Sequence, residues 1–253
     1  MSRLGLISDI HGNAVALDAV LADLARQGID EIVCLGDIAA GGPQPREAIA
    51  RLRELDCRIV RGNADGWLLE GLPPGRSDAT RRLGELVAWA QTQLAADDLD
   101  YLASLPATLS LAAAGLSVSC FHGSPRSDVD SLLATTPEQE LDELLGEAPP
   151  MTIFACGHTH LQLLRSYRKS VLLNPGSVGL PLGSLTPLSG CAPLPAWAEY
   201  ALVEVHDGDV ELAFRRLAVD VAELAAQSTA LPHRTWAADL ELRIERWNRR
   251  SAE

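Results

Sequence analysis

The first residues of the chain place two polar side chains at the end of a short apolar run. Residues 4–7 are apolar, and the turn that follows carries Asp9 and His11. Residues two apart in an extended chain point to the same side, so we expect both side chains to meet at the carboxyl end of a buried strand. A carboxylate with an imidazole suits Mn, Fe or Zn better than Ca or Mg. Taken alone, the pair fits a strand-ending turn that caps a helix equally well.

The same arrangement recurs along the chain. Apolar runs, Gly-rich turns and helical periodicity predict strands over residues 4–7, 31–35 and 58–61, with helices over residues 14–27 and from Pro45 onward. Three strand–loop–helix units in succession predict a largely parallel sheet at the start of the chain. Asp9, Asp37 and Asn63 all fall at the carboxyl ends of its strands, where sheets of this kind bind ligands.

The remaining residues are predicted to continue one domain over residues 1–253. Residues 67–106 are predicted to be helical, either as a cap over the site or as a connection that covers the sheet. We predict hairpins or strands over residues 108–121, 152–156, 161–173 and 200–214, helices over residues 137–145, 219–226 and 235–249, and an uncharged loop over residues 180–195. Apolar residues on the last helix would pack on the protein itself or form a dimer contact, so a homo-oligomer is one expectation.

Charge and composition exclude several classes of protein. A net charge of −13 argues against a binder of duplex nucleic acid, which needs a basic face, but not against a small phosphorylated substrate held by metals. No apolar segment has the length that spans a bilayer, so no membrane association is expected. The five cysteines lack Cys-x-x-Cys spacing, which favours reduced core residues of a cytoplasmic protein.

Seven polar residues at predicted strand ends form the candidate site. Two carboxylates, one amide oxygen and four imidazoles are too many ligands for one tetrahedral ion. They suit two divalent ions about 3.5–4 Å apart that share a bridging carboxylate, activate a water and hold a phosphate ester for displacement. The seven residues are Asp9, His11, Asp37, Asn63, His122, His158 and His160.

Six short motifs in order carry a family resemblance. They read D-I-H, G-D, G-N-A-D, H-G-S-P, G-H-T-H and N-P-G-S-V-G, and the resemblance that they carry covers residues 1–205. In this order they resemble the calcineurin-like metallophosphoesterases, and most closely the small bacterial and archaeal phosphodiesterase-like branch. The resemblance implies a mixed α/β fold, a four-layer sandwich of two mixed sheets flanked by helices, with the metals at the carboxyl ends of strands.

The resemblance also implies a role for each motif residue. Asp9, His11 and His160 would hold the first ion, and Asp37 would bridge. The second ion would be held by Asn63, His122 and His158. Both ions are expected to be Mn, with Fe, Zn, Ni or Co as alternatives. Asp37 and Asn63 are the predicted catalytic residues; Asn13, Asn63 and Arg126 are the predicted substrate contacts, and residues 174–179 would support the metal loops from behind.

Two positions depart from the family pattern. Many members carry His after the Asn of the third motif, where it contacts the phosphate and assists the leaving group; here that residue is Ala64. Relatives also often place Arg shortly after the N-P-G-S-V-G turn, whereas no Lys or Arg lies between Lys169 and Arg215. The general acid and the substrate preference therefore cannot be transferred from the family.

Three functional hypotheses follow. The first is a dinuclear phosphoesterase that hydrolyses small phosphodiesters or nucleotides by attack of a metal-bridging hydroxide. The second keeps the fold and changes the substrate, giving a phosphomonoesterase, a protein phosphatase or a dinucleoside polyphosphate hydrolase. The third is a non-catalytic metal-binding scaffold, for which we would expect missing ligands.

Overall fold

Two mixed sheets and the helices outside them organise the computed structural model, which describes residues 2–75, 77–113, 115–181, 197–206 and 209–232. The strands are β1 (Ser2–Ile7), β2 (Glu31–Cys34), β3 (Arg58–Ile59), β4 (Thr108–Ala113), β5 (Leu116–Phe121), β6 (Thr152–Ala155), β7 (Gln162–Tyr167), β8 (Ser170–Pro175), β9 (Trp197–His206) and β10 (Asp209–Ala218). The helices are α1 (Ala14–Gln27), α2 (Pro45–Leu55), α3 (Asn63–Glu70), α4 (Asp78–Gln93), α5 (Ala96–Ser104), α6 (Glu138–Leu145) and α7 (Val221–Gln227).

Strand order brings the candidate loops to one side of the molecule. The first sheet runs β10-β9-β1-β2-β3, with β1, β2 and β3 parallel to one another. The second runs β4-β5-β6-β8-β7, with β5, β6 and β8 parallel. Antiparallel strands complete each sheet, so both are mixed. The predicted parallel start of the chain is confirmed.

Side chains alternate between two apolar layers along the central strands. In β9, Ala201 and Val203 join the apolar cluster between the sheets, whereas Tyr200 and Leu202 join the cluster under α1 and its neighbours. This period of two is the property of a strand buried on both faces. A third cluster packs α6 on the outer face of the second sheet. Helix, sheet, sheet and helix make the four layers that the sequence predicted.

Residues 67–106 are largely helical and pack on the first sheet. Helix α3 begins at Asn63, ahead of the predicted segment, and α4 and α5 follow it. Leu83, Leu86 and Val87 of α4 are buried in the same apolar cluster as α1 and α2. This is the packing that the sheet-covering alternative predicts; the description of the segment as a cap stays a prediction.

Several predicted features lie outside the described residues. They are the loop over residues 182–195, the turn at residues 207–208, the helix over residues 235–249 with its apolar stripe, and Cys191. The other four cysteines, Cys34, Cys57, Cys120 and Cys156, are free, and all but Cys57 are buried. No helix within the described ranges combines the length and the apolar character needed to cross a membrane.

Candidate metal centre

Turns at the carboxyl ends of the strands carry all seven predicted ligands. Asp9 and His11 follow β1, and Asp37 follows β2. Asn63 begins α3 directly after the turn that leaves β3, His122 follows β5, and the remaining two histidines follow β6. Each of the seven side chains is buried, with at most 5% of its surface exposed. The structure therefore brings together residues that are up to 151 positions apart, counted from Asp9 to His160.

Three of the ligands form one compact group. Nε2 of His160 lies 3.1 Å from Oδ1 of Asp9 and 3.0 Å from Nε2 of His11. Nε2 of His11 lies 3.8 Å from the same Asp9 oxygen. The three atoms enclose a point that a single cation can occupy. This is the trio that the sequence predicted for the first ion.

A second group lies beside the first. Oδ1 of Asn63 is 2.8 Å from Nδ1 of His158 and 3.1 Å from Nε2 of His122. Nε2 of His122 is in turn 3.2 Å from Oδ2 of Asp37. These four side chains are the ones predicted to surround the second ion.

Two carboxylates lie between the groups. Oδ2 of Asp37 is 3.2 Å from His122 and 3.6 Å from Nε2 of His11, so it reaches both groups. Oδ1 of Asp9 also reaches both, at 3.1 Å from His160 and 4.0 Å from His122. Geometry alone allows either carboxylate to be shared, and the assignment of the bridge to Asp37 stays a prediction.

Backbone carbonyl groups fix the orientation of three imidazoles. Nδ1 of His11 lies 2.8 Å from the carbonyl oxygen of Ala40, and Nδ1 of His160 lies 2.7 Å from that of Leu180. Nδ1 of His122 lies 2.6 Å from the carbonyl oxygen of Leu35. A carbonyl oxygen only accepts, so in each neutral ring Nδ1 carries the proton and Nε2 presents its lone pair to the cluster. Metal-binding histidines are held in this way.

The donor set fits divalent transition metals. The Nε2 atoms of His11 and His160 lie 3.0 Å apart. Because the Nδ1 atom of each ring is bonded to a carbonyl, two lone pairs would face each other, and a cation or a proton is required between them.

The oxygen of Asn63 also faces two imidazole nitrogens, those of His122 and His158. The reversed amide would donate to both nitrogens and suits a pocket without a cation, whereas the present orientation suits a cation. Mixed nitrogen and oxygen donors suit Mn, Fe, Zn, Ni or Co.

Charges within the cluster shift its pKa values. Burial alone would raise the pKa of Asp9, but the neighbouring imidazoles, first that of His160, hold it well below the usual range. His122 keeps Asp37 below the usual carboxyl pKa in the same way, against the effect of burial. Burial lowers the pKa of His122, but Asp37 and Asp9 outweigh this and raise it to about 9. The pocket favours positive charge among its carboxylates.

Five of the ligands adopt a backbone conformation that is rare outside glycine. The φ angles are 56° at Asp9, 49° at His11, 58° at Asp37, 65° at His158 and 57° at His160. A left-handed conformation costs roughly 1–2 kcal/mol in an L-residue. Strain of this kind persists where surrounding contacts hold it, and it concentrates at functional sites. The side chains converge because the turns are held in this costly conformation.

Asp65 ties two ligand turns together. Its carboxylate accepts from the backbone N–H groups of Asp37 at 2.9 Å, Ile38 at 2.8 Å and Gly62 at 3.0 Å. A Cβ at Gly62 would collide with Oδ1 of Asp37, so this close approach of the two turns requires glycine. Burial and the charge of Asp37 raise the pKa of Asp65 to about 6, against the effect of its N–H donors. These hydrogen bonds make Asp65 a structural partner of the ligand turns.

Residues 174–179 support the ligand turns from behind, as predicted. Nδ2 of Asn174 donates to the carbonyl of Gly157, and Oγ of Ser177 donates to the carbonyl of Asp9 at 2.7 Å. The N–H of Gly179 donates to the same Asp9 carbonyl at 3.0 Å. The backbone on both sides of the cluster is therefore attached to one turn.

Two predicted substrate contacts have other partners. Nη1 of Arg126 donates to the carbonyl of Glu143 at 3.1 Å, so this exposed side chain is directed to α6 and not grouped with the ligands. Oδ1 of Asn13 caps α1 by accepting from Ala16 at 3.0 Å, and its Nδ2 donates to the carbonyl of Gly179. The structure gives Asn13 a structural role and provides no support for either predicted contact.

Backbone groups complete the site, and sequence reasoning missed them. The N–H of Ala64 donates to Oδ1 of Asp37 at 2.7 Å, so position 64 contributes its main chain although its side chain has no proton to give. The carbonyls of Leu35, Ala40 and Leu180 hold the three imidazoles. Because every residue has these groups, no sequence signal could have identified them.

Comparison with known proteins agrees with the geometry. A metallophosphoesterase from Sphaerobacter thermophilus is 29% identical, covering 89% of this chain and 92% of its own, with a TM-score of 0.67. A hypothetical protein from Pyrococcus horikoshii shares the fold at 21% identity and a TM-score of 0.70, covering 92% and 95% of the two chains. An uncharacterized protein from Methanocaldococcus jannaschii is 30% identical over 75% of this chain and 82% of its own.

Family assignment follows from the sequence profile together with this fold. Members of the family bind divalent metals, and the two donor groups in the structure are of the kind that hold them. The profile of the calcineurin-like phosphoesterase superfamily domain matches residues 2–194, which is most of the chain. The protein belongs to the calcineurin-like phosphoesterase superfamily.

Proposed function

We propose that this protein is a dinuclear metal-dependent phosphoesterase that hydrolyses small phosphodiesters or nucleotides. The observation that carries the proposal is the convergence of seven buried donor side chains in two adjoining groups. Three of their imidazoles have Nδ1 bonded to a carbonyl and Nε2 turned inward. A structural cluster of buried histidines would have no need of this shared orientation.

The two groups define which residues would hold each ion. Asp9, His11 and His160 would hold one, and Asn63, His122 and His158 the other, with Asp37 shared. When bound, two divalent ions supply a water of lowered pKa and positive charge for the phosphate oxygens. Mn is the first choice, with Fe, Zn, Ni or Co as alternatives.

The chain's own contribution is positioning. Asp65 and residues 174–179 hold the ligand turns, which keeps the donor atoms in place without rearrangement during the reaction. Because Ala64 cannot donate a proton, no side chain at that position assists the leaving group. We infer that esters with good leaving groups, such as aryl phosphodiesters, are hydrolysed fastest by the isolated protein.

Screening metals against substrates tests this proposal. The purified chain is stripped of metal and reconstituted with Mn, Ni, Co or Zn, then assayed on aryl phosphodiesters, aryl phosphomonoesters, cyclic nucleotides and dinucleoside polyphosphates. We expect about two metal ions per chain and the highest kcat/KM on a phosphodiester. A preference for monoesters or dinucleoside polyphosphates would assign the substrate class of the second hypothesis instead.

The same experiment separates the enzyme from the scaffold. Two bound ions with no hydrolysis of any substrate would contradict catalysis and support the scaffold hypothesis. No bound transition metal after reconstitution would contradict the metal centre itself. Asp97→Asn is a matched control, since Asp97 is an exposed carboxylate, 68% accessible, on α5. It should retain full metal content and activity.

A further inference from the structure

The outer edge of β10 is long, regular and open. Its ten residues pair with β9 in one uninterrupted register from Asp209 to Ala218. Within the described residues, no strand pairs with its other side. Edge strands in proteins are normally kept apart by charged side chains, by Pro, by bulges or by their short length. This strand has no Pro and no interruption of its register, and its charged residues are of both signs.

Charges on β10 are self-complementary. Glu211 and Arg215 are exposed, lie four residues apart and therefore extend from the same face of the strand. If two copies of β10 pair antiparallel with Ala213 opposite itself, Glu211 of each copy faces Arg215 of the other. Opposite charges across such a pair stabilise a sheet, whereas like charges destabilise it.

Apolar residues on the other face match in the same register. Leu212 of one copy would lie opposite Phe214 of the other, and this contact would occur twice because of the two-fold axis. Both side chains are partly buried against the apolar layer between the sheets. Their exposed apolar surface extends that layer to the edge of the sheet. An aromatic side chain opposite an aliphatic one is a favourable cross-strand pair. The same register therefore matches residues 211–215 on both faces, and at its ends it sets Asp209 opposite Leu217 and Val210 opposite Arg216.

We infer that β10 is a self-association edge, through which two copies of this chain form a two-fold dimer by joining their first sheets. The occupant is a second copy and not an unrelated strand, because charge and apolar pattern of residues 211–215 both match under reversal of the same strand. The interface would be isologous, as in most soluble homodimers. The inference is independent of the proposed catalytic function.

Charge reversal provides a sharp test. Sedimentation equilibrium of the full chain should show a monomer–dimer equilibrium. Glu211→Arg places an arginine opposite Arg215 of the other copy, at both symmetric positions, and Arg215→Glu likewise places two acids opposite each other. We expect each variant to raise the dimer Kd by about tenfold or more. In an equimolar mixture the two variants should form a mixed dimer with about the wild-type Kd, because both cross-strand pairs of that dimer are of opposite charge.

Controls exclude loss of folding as an explanation. Circular dichroism and thermal unfolding should match the wild type in both variants, since both positions are exposed. Arg58→Glu, at an exposed position on the opposite edge strand β3, should leave the Kd unchanged. A wild-type chain that stays monomeric at the highest attainable concentration overturns the inference. So does a dimer whose Kd is unaffected by either reversal, or one that the mixture fails to restore.

Discussion

Two regions of this molecule bury carboxylates in opposite ways. At the ligand cluster, Asp9 and Asp37 are fully buried among imidazoles. On β9, the buried Glu199 is bonded to Arg216 at 2.6 Å. Glu199 has its counter-charge, Arg216, within the chain. Asp9 and Asp37 are surrounded by imidazoles instead. Where Nδ1 of such an imidazole is bonded to a carbonyl, the inner Nε2 of the neutral ring carries no proton.

The difference separates a structural ion pair from a site built for an external cation. Burying a charge is costly unless it is compensated. Arg216 balances the charge of Glu199 in the folded chain, so this ion pair is a structural one. In the cluster, the N–H groups of Ala64 and His158 donate to Asp37 and Asp9, and the counter-charge comes from protonated imidazoles or a bound metal. Substitutions in the two regions should therefore affect different properties.

The largest expected effect is on catalysis at the cluster. Asp37→Asn removes the charge of the predicted shared ligand while keeping its shape, so kcat/KM should fall on the order of 100-fold or more. Metal content, measured by elemental analysis, should fall with it. Asp97→Asn should change neither quantity. Full activity of the Asp37→Asn variant would show that the cluster is not the catalytic site.

Metal removal should lower stability only through the cluster. A bound metal at about 100 times its Kd stabilises a protein by about 2.7 kcal/mol, which corresponds to a Tm change of roughly 5–10 °C for a chain of this size. We expect a chelator to lower the Tm of the wild type by that amount, and that of Asp37→Asn much less. An equal decrease in both proteins would place the stabilising metal elsewhere.

Glu199→Gln should affect stability without affecting metal binding. The substitution removes the charge that pairs with Arg216, whose side chain is 55% exposed and so recovers part of its hydration. We expect a loss of about 1–2 kcal/mol in the free energy of unfolding, measured by urea denaturation. The metal content should stay that of the wild type. A loss of metal would mean that the two regions are coupled.

The smallest effect is expected at a buried hydrogen bond under α1. The hydroxyl of Tyr200 donates to Asp23, and this bond holds the pKa of Asp23 below its usual range. Tyr200→Phe should cost about 1 kcal/mol of unfolding free energy near neutral pH. A lowered folded-state pKa contributes stability above the unfolded pKa and loses it as the pH falls. The difference between wild type and variant should therefore shrink in acid, and a constant difference would contradict this account.

Much of the fold could be predicted because its signals are local. Alternation along β5, β6 and β9 and helical spacing in α1 and α4 each extend over a few residues. The predicted helical segment starts at residue 67, whereas α3 begins at Asn63. The difference arises because Asn is typical both of turns and of helix starts. Arg126 is predicted as a substrate contact from its place just after H-G-S-P; its side chain is directed to α6, and the contact stays a prediction.

The sequence by itself determined which side chains form the candidate site and their order along the chain, because residue type and the spacing of two residues are visible in the motifs. Only the tertiary structure decided how they meet. Which nitrogen of His11, His122 and His160 faces inward depends on the carbonyls of Ala40, Leu35 and Leu180, and the left-handed turns bring Asp9 and Asp37 between the groups. Both features depend on the pairing of strands that are far apart in the sequence. This pairing brings Nε2 of His160 within 3.1 Å of Oδ1 of Asp9, and no short stretch of sequence encodes it.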